Sequence, residues 1–407
     1  MSSTSSLDAV LNITPFPLVS WYGSAVRPIE QLRLLYKIEN LSLNTIASYI
    51  SQDVREYISP NKVLVLNSSL MPRLFRMGFN PNRFIHDSIF IKHLTDLFLS
   101  NQNIEKLYIH LSFTKNYIDF IQKIFYKRRI PSIIDVHGIT TYSAENRLVK
   151  SFLNIIESSA FKNSTIVVSN ASIREYLKRN FYVKDSIILP DVIDVNYIEE
   201  VIKSFGDHVE KIRKYLNATS KDFIIGYAGS INFIQGSDIL VKSIKLLLNQ
   251  YDNVKFLIIG SSFSNLQSFF QSLKLTLSPS EMKRILVLRN IPYFILPGYL
   301  SISNILITPK RYNFESNQKL LLYAAIGKPV VGFNTYANRF LVTEFNLKGV
   351  FLAKSISTEA FTAEIMNLVE ELNDFQNDEY NYGSTNRDSI KRASIKIIEN
   401  LKNLLFN

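Results

Sequence analysis

The sequence predicts an α/β protein built from two doubly wound parallel-sheet domains, and three observations predict it. Apolar runs of strand length alternate with helix-length patterned segments along most of the chain, the signature of repeated βαβ units. At 407 residues, with 46% hydrophobic and 20% charged side chains, the chain is long for one core and suits two. The alternation also breaks once, around Ile198–Lys221, where the pattern turns charged and uneven before a second alternation begins. The expected organisation is a first domain over 1–205, a second over 206–385, and a closing helix over 386–407 that packs back toward the first domain.

In the first domain the expected strands are Ala9–Ile13, Lys62–Asn67, Lys106–Leu111, Ser132–Asp135, Thr165–Ser169 and Ser186–Leu189. Helices Ile29–Ile38, Tyr117–Lys127, Ser143–Phe161 and Ala171–Phe181 are expected between them. The second domain reads as strand Phe223–Tyr227, helix Ser237–Asn249, strand Lys255–Gly260, helix Ser264–Leu275, strands Ile285–Leu288 and Ile305–Thr308, helix Asn317–Ile326 and strand Pro329–Phe333. Helix-like segments follow, the last expected over Asp388–Leu405. Two such domains facing each other would bring the carboxyl ends of both sheets to one cleft, where ligands of doubly wound folds bind.

The net charge of +11 is spread over both halves, which favours an anionic partner such as a nucleotide phosphate or an anionic lipid surface. Nucleic acid is not expected, because the basic residues are dispersed and no reading helix or stacking platform stands out. The absence of cysteine excludes a disulfide framework, thiolate metal sites and a cysteine nucleophile. The start, MSSTSSLDAV, lacks the charged and apolar regions of a signal peptide. No run reaches the ~18 apolar residues of a spanning helix. A cytoplasmic protein is expected, with attachment to the cytoplasmic membrane face as an option. For that option KIFYKRRI (123–130) offers a basic and aromatic surface, although the same residues suit a solvated helix end.

Two stretches carry chemistry. In Glu315–Phe333, ESNQKLLLYAAIGKPVVGF, Ser316 is the expected N-cap and Lys319 falls in the first helical turn. A cation there is unfavourable by about 0.3–1 kcal/mol, because first-turn amides already carry partial positive charge. An anion docked on the helix tip removes that cost, and Lys310 and Arg311 on the preceding loop add charge. The alternative is a lysine that snorkels to solvent. In FIIGYAGSINFIQGSDILVKSIKLL (223–247), Gly226, Gly229 and Gly236 lie between a buried strand and a helix. Glycines there admit the close approach of a phosphate or sugar, or simply tight packing.

The order YAGS, QG-S-D-I-L, KFLIIGSS, YLSISNILITP and K-LLLYAAIGKPVV resembles the donor-binding domain of GT-B glycosyltransferases of family 4, the group 1 retaining enzymes. RRIPSIIDVHG (128–138) and FKNSTIVVSNASIREYLKRNFYVKDSIILPDVID (161–194) resemble passages of the family's first domain. The likeness spans roughly residues 105–370. It implies two Rossmann-like domains and transfer of a hexosyl-type sugar from a nucleotide-diphosphate sugar, with retained configuration and without a metal or other cofactor. The acceptor would be a glycan, lipid-linked or protein-linked. Lys319 lies where the family's phosphate-binding lysine falls, and His137 matches the histidine that faces the donor sugar.

The resemblance also has departures. Aligning on GKPVV puts the family's two glutamates at Phe314 and Leu322; Glu315, one residue away, is the expected catalytic substitute beside His137. The usual basic pair after the first strand falls at Ser230 and Gln235. Donor-binding residues are therefore expected to be Gly229, Ser230, Gln235, Lys310, Arg311, Ser316, Asn317 and Lys319, with Gly23 and Ser24 lining the acceptor side. Leu322 keeps a non-catalytic scaffold of the same shape open, and a nucleotide-sugar epimerase of related fold is the third reading. His86, His93, His110 and His208 have no comparable sequence context.

Overall fold

The computed structural model describes residues 9–14, 23–37, 43–47, 50–58, 63–65, 104–110, 130–137, 147–260, 263–374 and 382–406. The chain divides into two units. The first comprises 1–191, 314–316 and 396–407; the second comprises 192–313 and 317–395.

The first unit holds a parallel sheet of β1 (Ala9–Thr14), β2 (Leu43–Ala47), β3 (Val63–Val65), β4 (Ile104–His110), β5 (Ser132–Val136), β6 (Thr165–Val168) and β7 (Ile187–Ile188). Their spatial order is β3-β2-β1-β4-β5-β6-β7. Sequence order reverses between β1 and β4, the switch point of a doubly wound sheet. The described helices here are α1 (Gly23–Tyr36), α2 (Gln52–Ile58), α3 (Arg147–Phe161) and α4 (Ala171–Phe181). Helix α4 has the expected bounds because both ends are signalled. Asn170 accepts from the Ile173 amide, and Tyr182 closes the helix at φ 54°. Helix α1 begins six residues before its expected start and runs through Pro28, although an interior proline normally breaks a helix. Strand β2 was not expected, since its short run lacks an apolar alternation. The expected helix Tyr117–Lys127 and most of KIFYKRRI lie outside the described residues.

In the second unit lie α5 (Val195–Ser204), α6 (Gly206–Tyr215), β8 (Phe223–Gly229), α7 (Ser237–Gln250), β9 (Val254–Gly260), α8 (Phe263–Thr276), α9 (Pro279–Met282), β10 (Ile285–Arg289), α10 (Leu296–Leu300), β11 (Ile305–Thr308), α11 (Gln318–Ile326), β12 (Val330–Phe333), α12 (Tyr336–Glu344), β13 (Val350–Ala353) and α13 (Thr358–Asp374). The sheet is parallel in the order β10-β9-β8-β11-β12-β13, with its switch point between β8 and β11. Its core joins β8, β9, β11 and β12 to the apolar faces of α7, α8 and α13 through Ile225, Phe256, Ile258, Leu247, Leu273 and Phe361, all buried.

The uneven stretch near residue 205 is helical, and the division falls at 191/192. Helices α5 and α6 belong with the second sheet. The Phe205 ring lies so near Gly298 of α10 that a Cβ there would meet its Cγ at 2.3 Å, and it packs 4.8 Å from the Tyr299 ring. The last helix, α14 (Gly383–Phe406), starts in the second unit and ends in the first, where Lys106 donates to the Leu404 carbonyl at 3.2 Å. Among the described residues no helix is long and apolar enough to cross a membrane.

Candidate functional site

In the second unit the site residues gather where β8 and β11 diverge. The two strands are in register only at Ile305–Ile225 and Leu306–Gly226. Beyond that point Ala228 has lost a strand partner on the β11 side, and the Tyr323 hydroxyl of α11 takes its place. It accepts from the Ala228 amide at 2.8 Å and donates to the Ala228 carbonyl at 3.0 Å. Tyr323 is fully buried, and that burial pushes its phenol well above the usual range, against the opposing effect of its hydrogen bond to Ala228. Four residues back along the same helix face, Lys319 reaches the next residue of the strand. Its Nζ donates to Gln235 Oε1 at 2.7 Å and lies 4.9 Å from the Tyr227 ring centroid.

Gly229 makes that approach possible. It sits at φ 149°, and a Cβ there would lie 2.6 Å from Lys319 Nζ. Gly236 is required for a different reason: at φ 78° it leads into α7, and a Cβ would meet the Pro309 carbonyl oxygen at 2.2 Å. The loop between them is set locally. Asn232 accepts from the Gln235 amide at 2.9 Å, and the Ser230 carbonyl accepts from the Tyr227 hydroxyl at 2.8 Å.

The tip of α11 departs from expectation. The N-cap is Asn317 and not Ser316, so Lys319 is the second helical residue. Asn317 makes no side-chain cap bond, because its carboxamide is spent elsewhere. It donates to Thr308 Oγ1 at 3.1 Å and to Asn338 Oδ1 at 2.9 Å, and Asn338 in turn donates to the Phe333 carbonyl at 2.8 Å. Asn317 thus ties the ends of β11 and β12 to α11 and α12. Arg311 is also committed. Its guanidinium is paired with Asp238 and lies 4.1 Å over the Phe233 ring. Burial would raise the Asp238 carboxyl, but Arg311 outweighs it and holds it below the usual range. Lys310 is buried, whereas Lys319 is partly open. Leu322 points into the core at 1% exposure, so nothing polar stands at that helical position.

Phe314, Glu315 and Ser316 group with the first unit. Phe314 packs on the apolar cluster of Ile134, Val136 and Val168, with its ring 5.0 Å from that of Tyr176. The position that the resemblance gives to an acid is therefore an apolar anchor, and Glu315 follows it.

The first unit brings together a group the sequence reading did not assemble. His110 ends β4 and His137 directly follows β5, its neighbour, and register pairs His110 with Asp135. His137 lies two residues beyond Asp135 and so on the same face, which brings it to His110; the spacing is legible in the sequence once the two strands are neighbours. His110 Nδ1 and His137 Nε2 are 2.9 Å apart. Asp135 beneath them is wholly buried, and three donors converge on its Oδ2: Tyr108 at 2.6 Å, Arg27 Nε at 3.1 Å and Gln31 at 3.2 Å. Arg27 also holds Asp135 Oδ1 at 3.0 Å, Asp191 at 2.7 Å and the Leu189 carbonyl at 2.9 Å. Arg27 and Gln31 are one turn apart on α1, whose first turn carries Gly23 and Ser24.

Burial alone would raise the Asp135 carboxyl, but Arg27 outweighs it, with His137 adding, and holds it well below the usual range. Burial, with His137 and Arg27 adding, pushes His110 well below its ordinary value, so it stays neutral. Among the described residues, His110, Asp135 and His137 are the acidic and imidazole ligand atoms that cluster within 4.8 Å. Their spacing is that of a hydrogen-bonded pair. Two imidazole nitrogens on tetrahedral zinc would stand about 3.3 Å apart, and Asp135 Oδ2 is already taken by three donors.

Residues 208–385 match the model of the family described as glycosyl transferases group 1. No curated protein sequence is matched. Solved structures are matched over nearly the whole chain. A glycosyltransferase from Rickettsia africae ESF-5 superposes with TM-score 0.69 at 14% identity, covering 98% of each chain. Anabaena Alr3699/HepE in complex with UDP-glucose gives 0.69 at 12%, covering 97% of this chain and 99% of that one. The UDP-GlcNAc 2-epimerase of Neisseria meningitidis bound to UDP-GlcNAc gives 0.61 at 16%, over 97% and 100%. The two parallel sheets and these likenesses agree: the chain has the GT-B fold, and its resemblance to glycosyl transferases group 1 lies over residues 208–385.

Proposed function

We propose that the protein is a retaining, metal-independent glycosyltransferase that moves a sugar from a nucleotide-diphosphate sugar to a glycan, lipid-linked or protein-linked acceptor. One observation carries the reading: Lys319, in the first turn of α11, is held against Gly229 at the carboxyl end of β8, at the switch point of the family-matched domain. The positive end of a helix and an ammonium there suit a leaving diphosphate. As the glycosidic bond breaks, negative charge grows on that leaving group, and a preorganised donor aimed at such charge is worth about 10²–10³ in rate. Ser230 and Gln235 add neutral donors. His137 orients a sugar hydroxyl, Glu315 supports the reacting end, and Gly23 and Ser24 line the acceptor side. Because Arg311 is neutralised by Asp238, most of the cationic grip falls to Lys319.

The relatives of like fold include proteins bound to UDP and UDP-sugars, which makes UDP-sugars the first donors to test. Purified protein is incubated with a panel of UDP-, GDP- and ADP-sugars and varied acceptors, and release of nucleoside diphosphate is followed. Turnover that needs an acceptor, and that falls at least tenfold in Lys319→Ala, supports the reading. Nucleotide binding with no turnover across the panel would instead support a scaffold, the reading favoured by the apolar Leu322. Conversion of the donor without acceptor would support an epimerase.

A further inference from the structure

His137 Nε2 and His110 Nδ1 face each other at 2.9 Å, a hydrogen-bond distance that needs one proton between the two nitrogens. Neutral imidazole has one bare and one protonated nitrogen, and the hydrogen bond made by one nitrogen fixes the state of the other. Only two neutral arrangements satisfy the pair. In one, both rings carry the proton on Nε2, and His137 Nε2–H donates to His110 Nδ1. In the other, both carry it on Nδ1, the intrinsically less stable tautomer, and His110 donates. The first places each ring in its preferred form.

The surroundings hold the pair in place. Asp135 Oδ2 lies 3.6 Å from His137 Nε2 and 3.7 Å from His110 Nδ1, so a proton between them is attracted whichever ring bears it. Arg27, Gln31 and Tyr108 anchor that carboxylate. The His110 ring is packed edge-on against Tyr108 at 5.0 Å, and the His137 ring edge-on against His110 at 5.0 Å. His110 is 1% exposed and kept neutral by burial and by Arg27, so it retains a lone pair for its neighbour.

We propose that His110 is a positioning residue: its Nδ1 accepts the proton on His137 Nε2 and so locks His137 in the Nε2–H tautomer, with Nδ1 as a hydrogen-bond acceptor. A ligand group that meets Nδ1 must then bring its own proton. A sugar hydroxyl does, and a phosphate oxygen does not. This last consequence rests on the proposed function, in which His137 serves the donor sugar; the tautomer lock does not.

The test uses the full chain labelled with ¹⁵N-histidine and long-range ¹H–¹⁵N correlation of its five histidines, with His137 assigned by loss of its signals in His137→Gln. The wild type is expected to show His137 protonated on Nε2 and bare on Nδ1, by at least about ten to one, equivalent to ~1.4 kcal/mol. His110→Asn, which can set its oxygen where Nδ1 stood, keeps that ratio. His110→Leu, which has no acceptor, lowers it to about threefold or less. A wild-type His137 protonated on Nδ1 overturns the proposal, and this reading needs no folded variant. An unchanged ratio in folded His110→Leu overturns it too.

Where turnover is found, His110→Leu lowers kcat/KM about tenfold with UDP affinity unchanged, and His110→Asn restores most of it. An equal loss of UDP affinity overturns the positioning role. Absence of any turnover sinks the proposed function and leaves the tautomer result standing.

Discussion

Tyr323→Phe removes one oxygen and tests how the second sheet is held open at its switch point. That hydroxyl is the partner of both the amide and the carbonyl of Ala228, at 2.8 and 3.0 Å, and both residues are buried. Phenylalanine keeps the ring packing and strands the two backbone groups. A buried polar group left without a partner costs about 1–3 kcal/mol, so the variant, which strands two, should lose about 2–6 kcal/mol. Water cannot substitute, since its share of liquid volume is about 30 Å³ and a vacated hydroxyl leaves far less. With an m-value of about 2 kcal/mol per M urea for a domain of this size, the unfolding midpoint of the second domain should fall by about 1–3 M. Tyr227→Phe is the internal comparison. It removes a single bond, to the Ser230 carbonyl just past the end of β8, and should cost about 1 kcal/mol. A Tyr323→Phe loss no larger than that of Tyr227→Phe, at unchanged m, would refute the view that this hydroxyl replaces a missing strand partner.

Other consequences can be measured alongside. Arg27→Met leaves the buried carboxylates of Asp135 and Asp191 without their cation, and should destabilise the first domain by about 3–5 kcal/mol in denaturant melts; Arg27→Lys should fall between, because it cannot span both acids. Gly236→Ala meets the Pro309 carbonyl at 2.2 Å in a left-handed conformation, so it should lower the thermal midpoint by several degrees and weaken UDP binding together, whereas Gly206→Ala, with nothing within 4 Å of its added Cβ, should do neither. Acidification should weaken the first domain before the second. The folded-state affinities of His110 and Asp135 for protons are both depressed, so the unfolded chain binds more protons as pH falls. Stability is full above the ordinary histidine value of 6.5, and it declines below that by up to about 1.4 kcal/mol per pH unit through His110. Asp135 adds a further loss below 3.8. Urea midpoints at pH 7.5, 6.5 and 5.5 check this, and His110→Asn should flatten the slope.

The legible parts of the chain were those where local chemistry is decisive. Strand β11 and helix α4 were readable to the residue, because an unbroken apolar run and a capped amphipathic helix leave little choice. Helices α5 and α6 were not, because their charged faces are ordinary surface and their apolar sides are explained only by packing on α10 and, for α5, on α11, with Phe205 between them seated on Gly298. At the site, Lys319 and Gly229 could be singled out by an unfavourable cation and an unusual glycine. Their meeting through Gln235 could not, since it joins positions 84 residues apart. The residue type of Ser316 favours a cap there, but the hydrogen bonds of Asn317 across the sheet end place the helix start one residue later. Arg27, Gln31 and Asp191 were invisible in sequence, because a buried ion pair has no local signature and is defined only when α1 is laid over β5.

The tie from Thr308 through Asn317 to Asn338 and the Phe333 carbonyl is made entirely of neutral amides and a hydroxyl. None of these groups gains or loses a proton in any physiological medium, so the seat of the α11 tip keeps one shape in acid and in base. The histidine–aspartate–arginine knot of the first domain has the opposite character. Under acid stress the second domain should outlast the first, so the helix tip to which we assign the leaving diphosphate keeps its seat after the histidine-bearing half has begun to loosen.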